Sequence, residues 1–282
     1  MASSYRLLDC GNGRKLEALG DIIVDRQATT AFWQPRTPAS AWSKASALHH
    51  RSTKGGGHWE YQRPLPEQWK IQHGGLNFFV RLTPFGHIGL FPEQAEQWAW
   101  LAQNKPYLQG KIALNLFAYT GGSTLALAKS GAQVTHVDAS KGVVLWASEN
   151  AQINDLDTSG IRWIADDVQK FIQREQRRKT TYHAFVLDPP TYGRGPKGET
   201  WKIEEDLLPL LTALADLNPD PELILMSTHS PSMSGKVLAQ LLHTVFGLPL
   251  AHCQWDEMHQ PLVNDPAFSL PSGYYVRYQK QR

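Results

Sequence analysis

Residues 111–140 read KIALNLFAYTGGSTLALAKSGAQVTHVDAS, and this stretch decides the fold. Ile112, Leu114, Leu116 and Phe117 form a short apolar run of the length of a buried strand. Thr120-Gly121-Gly122 then turns the chain, and the absent side chains let a ligand lie against the peptide groups. Ser123 to Lys129 favours helix, Ser130-Gly131 stops it, and Val134 to Val137 is a second apolar run closing on Asp138. Such a strand, loop, helix and strand make half of a nucleotide-binding sheet.

The glycine spacing narrows the ligand. A dinucleotide loop shows G-x-G-x-x-G and a phosphate-cradling loop shows G-x-x-x-x-G-K-[ST], and the stretch has neither. It suits a ligand without phosphates, followed by an acid that accepts from two ribose hydroxyls; S-adenosylmethionine is such a ligand. A bare T-G-G is also compatible with a tight turn in any α/β protein.

The 282 residues allow one large domain and a smaller one. A formal charge of +2 announces no global field for nucleic acid, so any RNA contact must come from local patches. Cys10 and Cys253 are the only cysteines and stand in no metal-ligand spacing, which suits a reducing compartment. No apolar segment reaches the ~20 residues needed to span a bilayer, and the N-terminus lacks the apolar core of a signal peptide. A soluble cytoplasmic protein, with no membrane and no metal, is expected.

Along the chain, Tyr5 to Arg26 reads as β structure with a turn at Gly11-Asn12-Gly13. A proline-punctuated segment with Trp33, Pro35, Pro38 and Trp42 follows. In KASALHHRSTKGGGHWEYQRPLPEQW, residues 44–69, the glycine triplet is expected as a turn. His49, His50 and His58 there lack carboxylate or cysteine partners at ligand spacing, so they are expected as solvated loop histidines. Leu76 to Leu82 is a further strand, making residues 1–85 a small β-rich domain. Residues 86–110 connect it, with a helix over Ala95 to Asn104 entered at Phe91-Pro92, which is either an ordinary helix start or a segment that closes over the ligand. Residues 111–282 form the larger domain. Beyond Asp138 it alternates helices at Lys141–Asn154, Val168–Gln176, Glu204–Leu217 and Lys236–Phe246 with strands at Ile161–Ala165, His183–Leu187 and Leu223–Met226. Two short tail strands, His252–Asp256 and Tyr274–Tyr278, complete a seven-stranded sheet. The expected class is α/β: a Rossmann-like, doubly wound, mostly parallel sheet preceded by the β-rich domain.

Ligands bind outside the carboxyl ends of such strands. Those ends are Phe117 to Gly122, Asp138, Asp166 and Asp167, Asp188 to Tyr192, and Thr228 to Ser230. Asp138 is placed to hold a ribose. Asp167, preferred over Asp166 because it directly precedes the helix, is placed to accept from an adenine amino group while the Val168 amide donates to a ring nitrogen; either aspartate could instead only cap that helix. In Asp188-Pro189-Pro190-Thr191-Tyr192 the prolines stop the ladder and are expected to leave carbonyl oxygens unpaired. With the Asp188 carboxylate these oxygens would accept from an amino or ring N–H of a planar substrate, and Tyr192 would supply a stacking face. The following GRGPKGETWK, with Arg194, Lys197, Lys202 and Trp201, suits phosphate contact and base stacking or is a plain solvated loop.

On LNLFAYTGG, THVDASK, ENAQIN, DDVQKF and LDPPTYGRGPKGETWK, with LLDCGNGRKLEALGDIIVDR and FGHIGLFPEQ outside the core, the chain resembles the class I S-adenosylmethionine-dependent methyltransferases. Within them it is similar to the bacterial subgroup related to the large-subunit ribosomal RNA methyltransferases. The resemblance covers nearly the whole chain. It implies S-adenosylmethionine as cofactor, with Phe117, Tyr119, Thr120, Gly121 and Gly122 at its methionine end, Asp138 on the ribose, Asp167 on the adenine and Asp188 facing the acceptor. It also implies ribosomal RNA as partner. One departure bears on chemistry. Cytosine-C5 methyltransferases need a thiolate after the fourth or fifth strand, and here those places read DPPTYG and MSTHSP, with His229 where a thiol would stand. That argues for transfer to a nucleobase nitrogen. The alternatives are a small-molecule or protein methyltransferase and a catalytically idle RNA-binding protein that keeps the fold.

Overall fold

The computed structural model describes residues 4–52, 55–195 and 198–281. Contacts divide the chain into two units: residues 1–95 with 259–272, and residues 96–258 with 273–282.

The first unit is β-rich. Strands β1 (Tyr5–Gly11), β2 (Arg14–Leu19) and β3 (Ile22–Gln27) form an antiparallel meander. Its first turn carries Asn12 and Gly13 at φ of 52° and 73°, the left-handed pair that matches the twist of a two-residue hairpin. A single helical turn α1 (Ala39–Trp42) leads into the antiparallel pair β4 (Ala47–Arg51) and β5 (Gly57–Tyr61), and β6 (Trp69–His73) pairs with β7 (Leu76–Val80). Three of these strands, β4 to β6, lie where only a loop was expected, because their turn-rich flanks mask their short alternation. His49 is correspondingly a buried strand residue, its ring nitrogens facing Gln27 Oε1 and the Pro84 carbonyl. Burial pulls its pKa below the ordinary value. Beneath the meander Glu17 is fully buried against Arg26 and Lys15. Burial alone would raise its carboxyl, but the two cations outweigh it and hold it at about 2.

The second unit begins with α2 (Ala95–Gln103) and α3 (Lys105–Leu108), then alternates β8 (Ile112–Leu116), α4 (Gly122–Lys129), β9 (Gln133–Asp138), α5 (Lys141–Gln152), β10 (Ile161–Ala165), α6 (Val168–Arg178) and β11 (Ala184–Leu187). A small hairpin, β12 (Tyr192–Arg194) and β13 (Thr200–Lys202), precedes α7 (Ile203–Leu217), β14 (Leu223–Thr228), α8 (Gly235–Phe246), β15 (Cys253–Leu262) and β16 (Asp265–Gln279). The sheet order is β10-β9-β8-β11-β14-β16-β15. The first five strands are parallel and β16 is antiparallel to β14, a mostly parallel, doubly wound run of seven strands within a larger sheet. The chain enters at β8, runs outward to β10, then returns to β11 on the other side of β8. The carboxyl ends of β8 and β11 therefore diverge at a switch point, where such sheets bind ligands.

Alternation along the strands sorts the two faces. Leu114 and Leu116, Phe185 and Leu187, Ile224 and Met226 pack with Phe171 and Ile172 of α6, Leu207 and Leu211 of α7 and Leu238 of α8. On the other parity, Asn115 and His136 are paired in register and meet Thr124 of α4. Asn115 Nδ2 donates to Thr124 Oγ1 at 2.8 Å, and Thr124 Oγ1 lies 2.8 Å from His136 Nδ1. The Thr124 hydroxyl thus links the Asn115 amide to the His136 ring. Burial drives the His136 pKa down to about 3 and keeps the ring neutral.

Two expectations change here. The tail strands are far longer than read, because solvent-facing Pro, Ser and Asp break their apolar pattern. By contacts, residues 259–272 group with the first unit, whose first segment runs to Ala95. The segment GRGPKGETWK, expected as an open loop, is organised by the β12–β13 pairing of Tyr192 with Lys202 and Arg194 with Thr200. Lys197 lies outside the described residues.

Candidate functional site

After β8 the backbone is forced into unusual conformations. Phe117 and Tyr119 take φ of 54° and 48°, and Gly121, capping α4, takes 92°. Non-glycine residues with positive φ are strained by roughly 1–3 kcal/mol each and persist only where surroundings impose them. Here the loop is tied to β9: the Ala118 amide donates to the Val137 carbonyl at 3.0 Å and the Tyr119 amide to Asp138 Oδ2 at 3.0 Å. Asp138 Oδ1 accepts from the Ser140 amide, also at 3.0 Å. The carboxylate thus bridges the loop after β8 and the start of α5. Burial raises its pKa, opposed by the two amides.

The two glycines answer first to the protein's own packing. A Cβ on Gly121 would stand 3.1 Å from Ala147 Cβ, and one on Gly122 would stand 2.4 Å from the Trp98 ring. Buried Asn150 donates to the Thr120 carbonyl at 2.9 Å and fixes the turn from α5. Nothing in the sequence pattern tied Trp98, Ala147 and Asn150 to this loop.

At the end of β10 the aspartates divide their tasks. Asp166 bridges strands through its amide to the Asp138 carbonyl, accepts from the Asp167 amide and pairs with Arg174. Asp167 caps α6, its Oδ1 accepting from the Lys170 amide at 3.0 Å, while its second oxygen has no partner among the described residues. Val168 opens the helix, so its amide stands outside the intrahelical ladder.

Asp188 follows β11, with its amide toward the Leu116 carbonyl at 3.4 Å. Ser227 Oγ donates to Asp188 Oδ1 at 2.9 Å, and His229 Nδ1 approaches the same oxygen at 4.0 Å. The proline carbonyls are not left unpaired as expected: Trp201 Nε1 donates to the Pro190 carbonyl at 2.7 Å and Thr228 Oγ1 to that of Pro189 at 3.4 Å. The turn brings them under neighbouring donors, which a strand-terminating pattern cannot reveal. Trp201 is also 8 % exposed and packs its ring 4.8 Å from Phe117, so it belongs to the interior rather than to a base-stacking loop. It joins the loop after β8 to the Asp188 turn. Tyr192 is 50 % exposed on the hairpin, and its hydroxyl accepts from Arg194 Nε at 2.9 Å.

The strand ends therefore gather a buried carboxylate bonded to two amides, a second carboxylate with an open oxygen beside a helix start, and a third beside a hydroxyl and an imidazole. The six residues from Phe117 to Gly122 carry no charged side chain and so offer no cation to a phosphate. Among the described residues no group of three or more His, Cys, Asp or Glu is arranged to hold a metal ion.

Residues 13–242 match the family model of S-adenosylmethionine-dependent methyltransferases. The solved structure of a SAM-dependent methyltransferase from Agrobacterium tumefaciens superposes with a TM-score of 0.89 at 33 % identity, covering 100 % of this chain and 92 % of that one. The structure of SMU.776 complexed with SAH gives 0.75 at 20 % identity over 98 % and 76 %, a likeness of fold. Among curated relatives, the chain is 32 % identical over 169 residues to the ribosomal RNA large subunit methyltransferase K/L of Syntrophotalea carbinolica, which is 59 % of this chain and 23 % of that protein. It is 32 % identical over 122 residues to the ribosomal RNA large subunit methyltransferase I of Aeromonas hydrophila, 43 % of this chain and 30 % of that protein. The chain thus spans less than a third of the length of these two relatives. On the sheet, the loop after β8 and these matches together, the chain belongs to the S-adenosylmethionine-dependent methyltransferase family.

Proposed function

We propose that this chain methylates a nucleobase nitrogen in large-subunit ribosomal RNA. S-adenosylmethionine supplies an electrophilic methyl group on a positively charged sulfur. Phe117, Tyr119, Thr120, Gly121 and Gly122 line its methionine end, and Asp138, held by two amides, accepts from the ribose hydroxyls. Asp167 receives the adenine amino group with its open oxygen, and the Val168 amide donates to the ring. Asp188 and the turn through Pro189 and Pro190 face the acceptor, with Tyr192 as a stacking surface at its edge. Each of these groups positions a reactant, and in-line placement of donor and acceptor is the main demand of methyl transfer to a lone pair.

The observation that carries nitrogen over carbon is the chemistry beside Asp188. Carbon-5 transfer to a pyrimidine needs a thiolate nucleophile, and the strand ends offer Ser227, Thr228 and His229 instead. Both cysteines are buried: Cys253 donates to the Pro249 carbonyl at 3.7 Å and Cys10 lies in β1 of the first unit. Burial raises both thiol pKa values, which disfavours the thiolate. The names of the curated relatives support the ribosomal substrate, and that substrate supports a cytoplasmic location.

The test is genetic and chemical together. Deleting the gene and comparing ribosomal nucleosides by mass spectrometry should remove one N-methylated nucleoside, and a plasmid copy should restore it. An unchanged nucleoside profile, with label from methyl-tritiated donor entering protein or metabolite fractions instead, would contradict the reading.

A further inference from the structure

Tyr61, Leu65, Pro66, Glu67 and Leu82 line a cleft of about 320 Å³ within the first unit, a volume in the range of small-ligand sites. Methyl transfer as described above gives it no task. Tyr61 ends β5 opposite Ala47 of β4 and is 53 % exposed. The chain that leaves it is braced at both ends. The Gln62 amide donates to the Ser46 carbonyl at 2.9 Å, Arg63 Nε to Ser46 Oγ at 3.1 Å, and Arg81 Nε to Gln68 Oε1 at 2.9 Å. Between these ties Pro64 and Pro66 fix their own φ and stiffen the wall. Next to Leu82, the Thr83 carbonyl accepts from Trp59 Nε1 at 2.7 Å. Glu60 is already engaged by His50 and Gln62. The Tyr61 hydroxyl and the Glu67 carboxylate, by contrast, have no partner among the described residues.

The surroundings select a polyanion. The first unit carries eleven Lys and Arg against eight Asp and Glu, and the second seventeen against eighteen. Of those eight acids Asp9, Glu17, Asp25 and Glu93 are buried, against Lys15 and Arg26 of the cations among the described residues. The positive excess therefore lies at the surface of this unit, where it attracts phosphates. Arg63, exposed and two residues from both Tyr61 and Leu65, belongs to it. A cationic peptide side chain, which a ring and a carboxylate also suit, is repelled by the same excess. An aromatic face between apolar walls instead takes an unpaired base. A carboxylate only accepts, and guanine alone sets N1–H and its N2 amino group side by side to meet both carboxylate oxygens. Adenine and cytosine place a ring acceptor beside their amino group, and uracil flanks N3–H with two carbonyls. We propose that this cleft holds an unpaired guanine of the substrate RNA, stacked on Tyr61 and read by Glu67, with Arg63 on an adjoining phosphate. This rests on the RNA reading above and adds to it a nucleotide other than the one that is methylated.

The test is fluorescence anisotropy with the full chain and a labelled oligouridylate that carries guanosine, adenosine, cytidine or uridine at one central position. The parent should prefer the guanosine strand by at least fivefold, and Glu67→Gln should abolish that preference. Tyr61→Ala should weaken binding of the guanosine strand at least fivefold, as loss of a stacking face does, while Tyr61→Phe stays within twofold of the parent. Arg63→Ala should lower the slope of log affinity against log salt by about one, the signature of a single phosphate contact. Calorimetric affinity for S-adenosylmethionine within twofold of the parent shows that each variant is folded. RNA binding by the parent without base preference, a preference that survives Glu67→Gln, or full affinity in Tyr61→Ala would overturn the cleft assignment and leave the RNA reading standing. An arginine-rich peptide that binds the parent and is lost in both Tyr61→Ala and Glu67→Gln would overturn it too, by giving the cleft to a protein. Failure of the parent to bind any of the strands or ribosomal RNA would overturn both.

Discussion

Gly122 shows how a single missing methyl group holds the site. Its Cα lies against the Trp98 indole so closely that a Cβ would come within 2.4 Å of the ring, and α4 begins at that residue. Gly122→Ala should therefore push Trp98 aside, lower the thermal midpoint by several degrees and weaken cofactor binding. Differential scanning calorimetry and cofactor titration measure the two effects. Gly121→Ala meets a softer neighbour, Ala147 Cβ at 3.1 Å, but adds the cost of φ at 92°, roughly 1–2 kcal/mol for a non-glycine residue. The two substitutions separate a steric from a conformational demand. The T-G-G pattern is legible in the sequence, whereas its reasons are not, since Trp98 and Ala147 reach the loop only through the fold.

At the scale of elements, the β12–β13 hairpin depends on Trp201. Removing its ring in Trp201→Ala deletes the contact with Phe117 and the donor to the Pro190 carbonyl. A cost of about 3–5 kcal/mol is expected, as for other buried aromatics, with impaired transfer to RNA; urea unfolding checks the first and single-turnover assays the second. The two units also predict different responses to acid. His136 keeps a folded pKa of about 3 against an ordinary value near 6.5. Below the ordinary value the unfolded chain takes a proton that the folded chain refuses, so stability falls as pH drops from ~6.5 toward 3, by at most about 1.4 kcal/mol per pH unit. Denaturation midpoints from pH 7 to 5 should fall less steeply in His136→Asn than in the parent. Glu17, held at about 2, instead stabilises the ionised fold above its ordinary pKa and loses that contribution as pH falls from ~4.5 toward 2. Glu17→Gln should flatten this lower window and leave the upper one intact.

For the whole molecule, legibility followed the period of the apolar pattern. The strands and helices from Ile112 to Phe246 were readable because buried parallel strands are short continuous apolar runs separated by helical stripes. The strands β4 to β6 and the long β15 and β16 were not, because their faces mix apolar, histidine, proline and acidic residues. Of the strand ends, Asp138, Asp167 and Asp188 could be found from sequence. The commitments of Trp201, Ser227 and Thr228 could not, since each depends on which strands become neighbours. On the proposed reading, the loop after β8 and Asp138 form the cofactor site of this methyltransferase. Isothermal titration calorimetry with S-adenosylmethionine tests it most directly, comparing the parent chain with Asp138→Ala. Saturable one-to-one binding to the parent, weakened at least tenfold in a variant that still folds, is predicted. Absence of binding to the parent, or equal affinity in the two proteins, would contradict it.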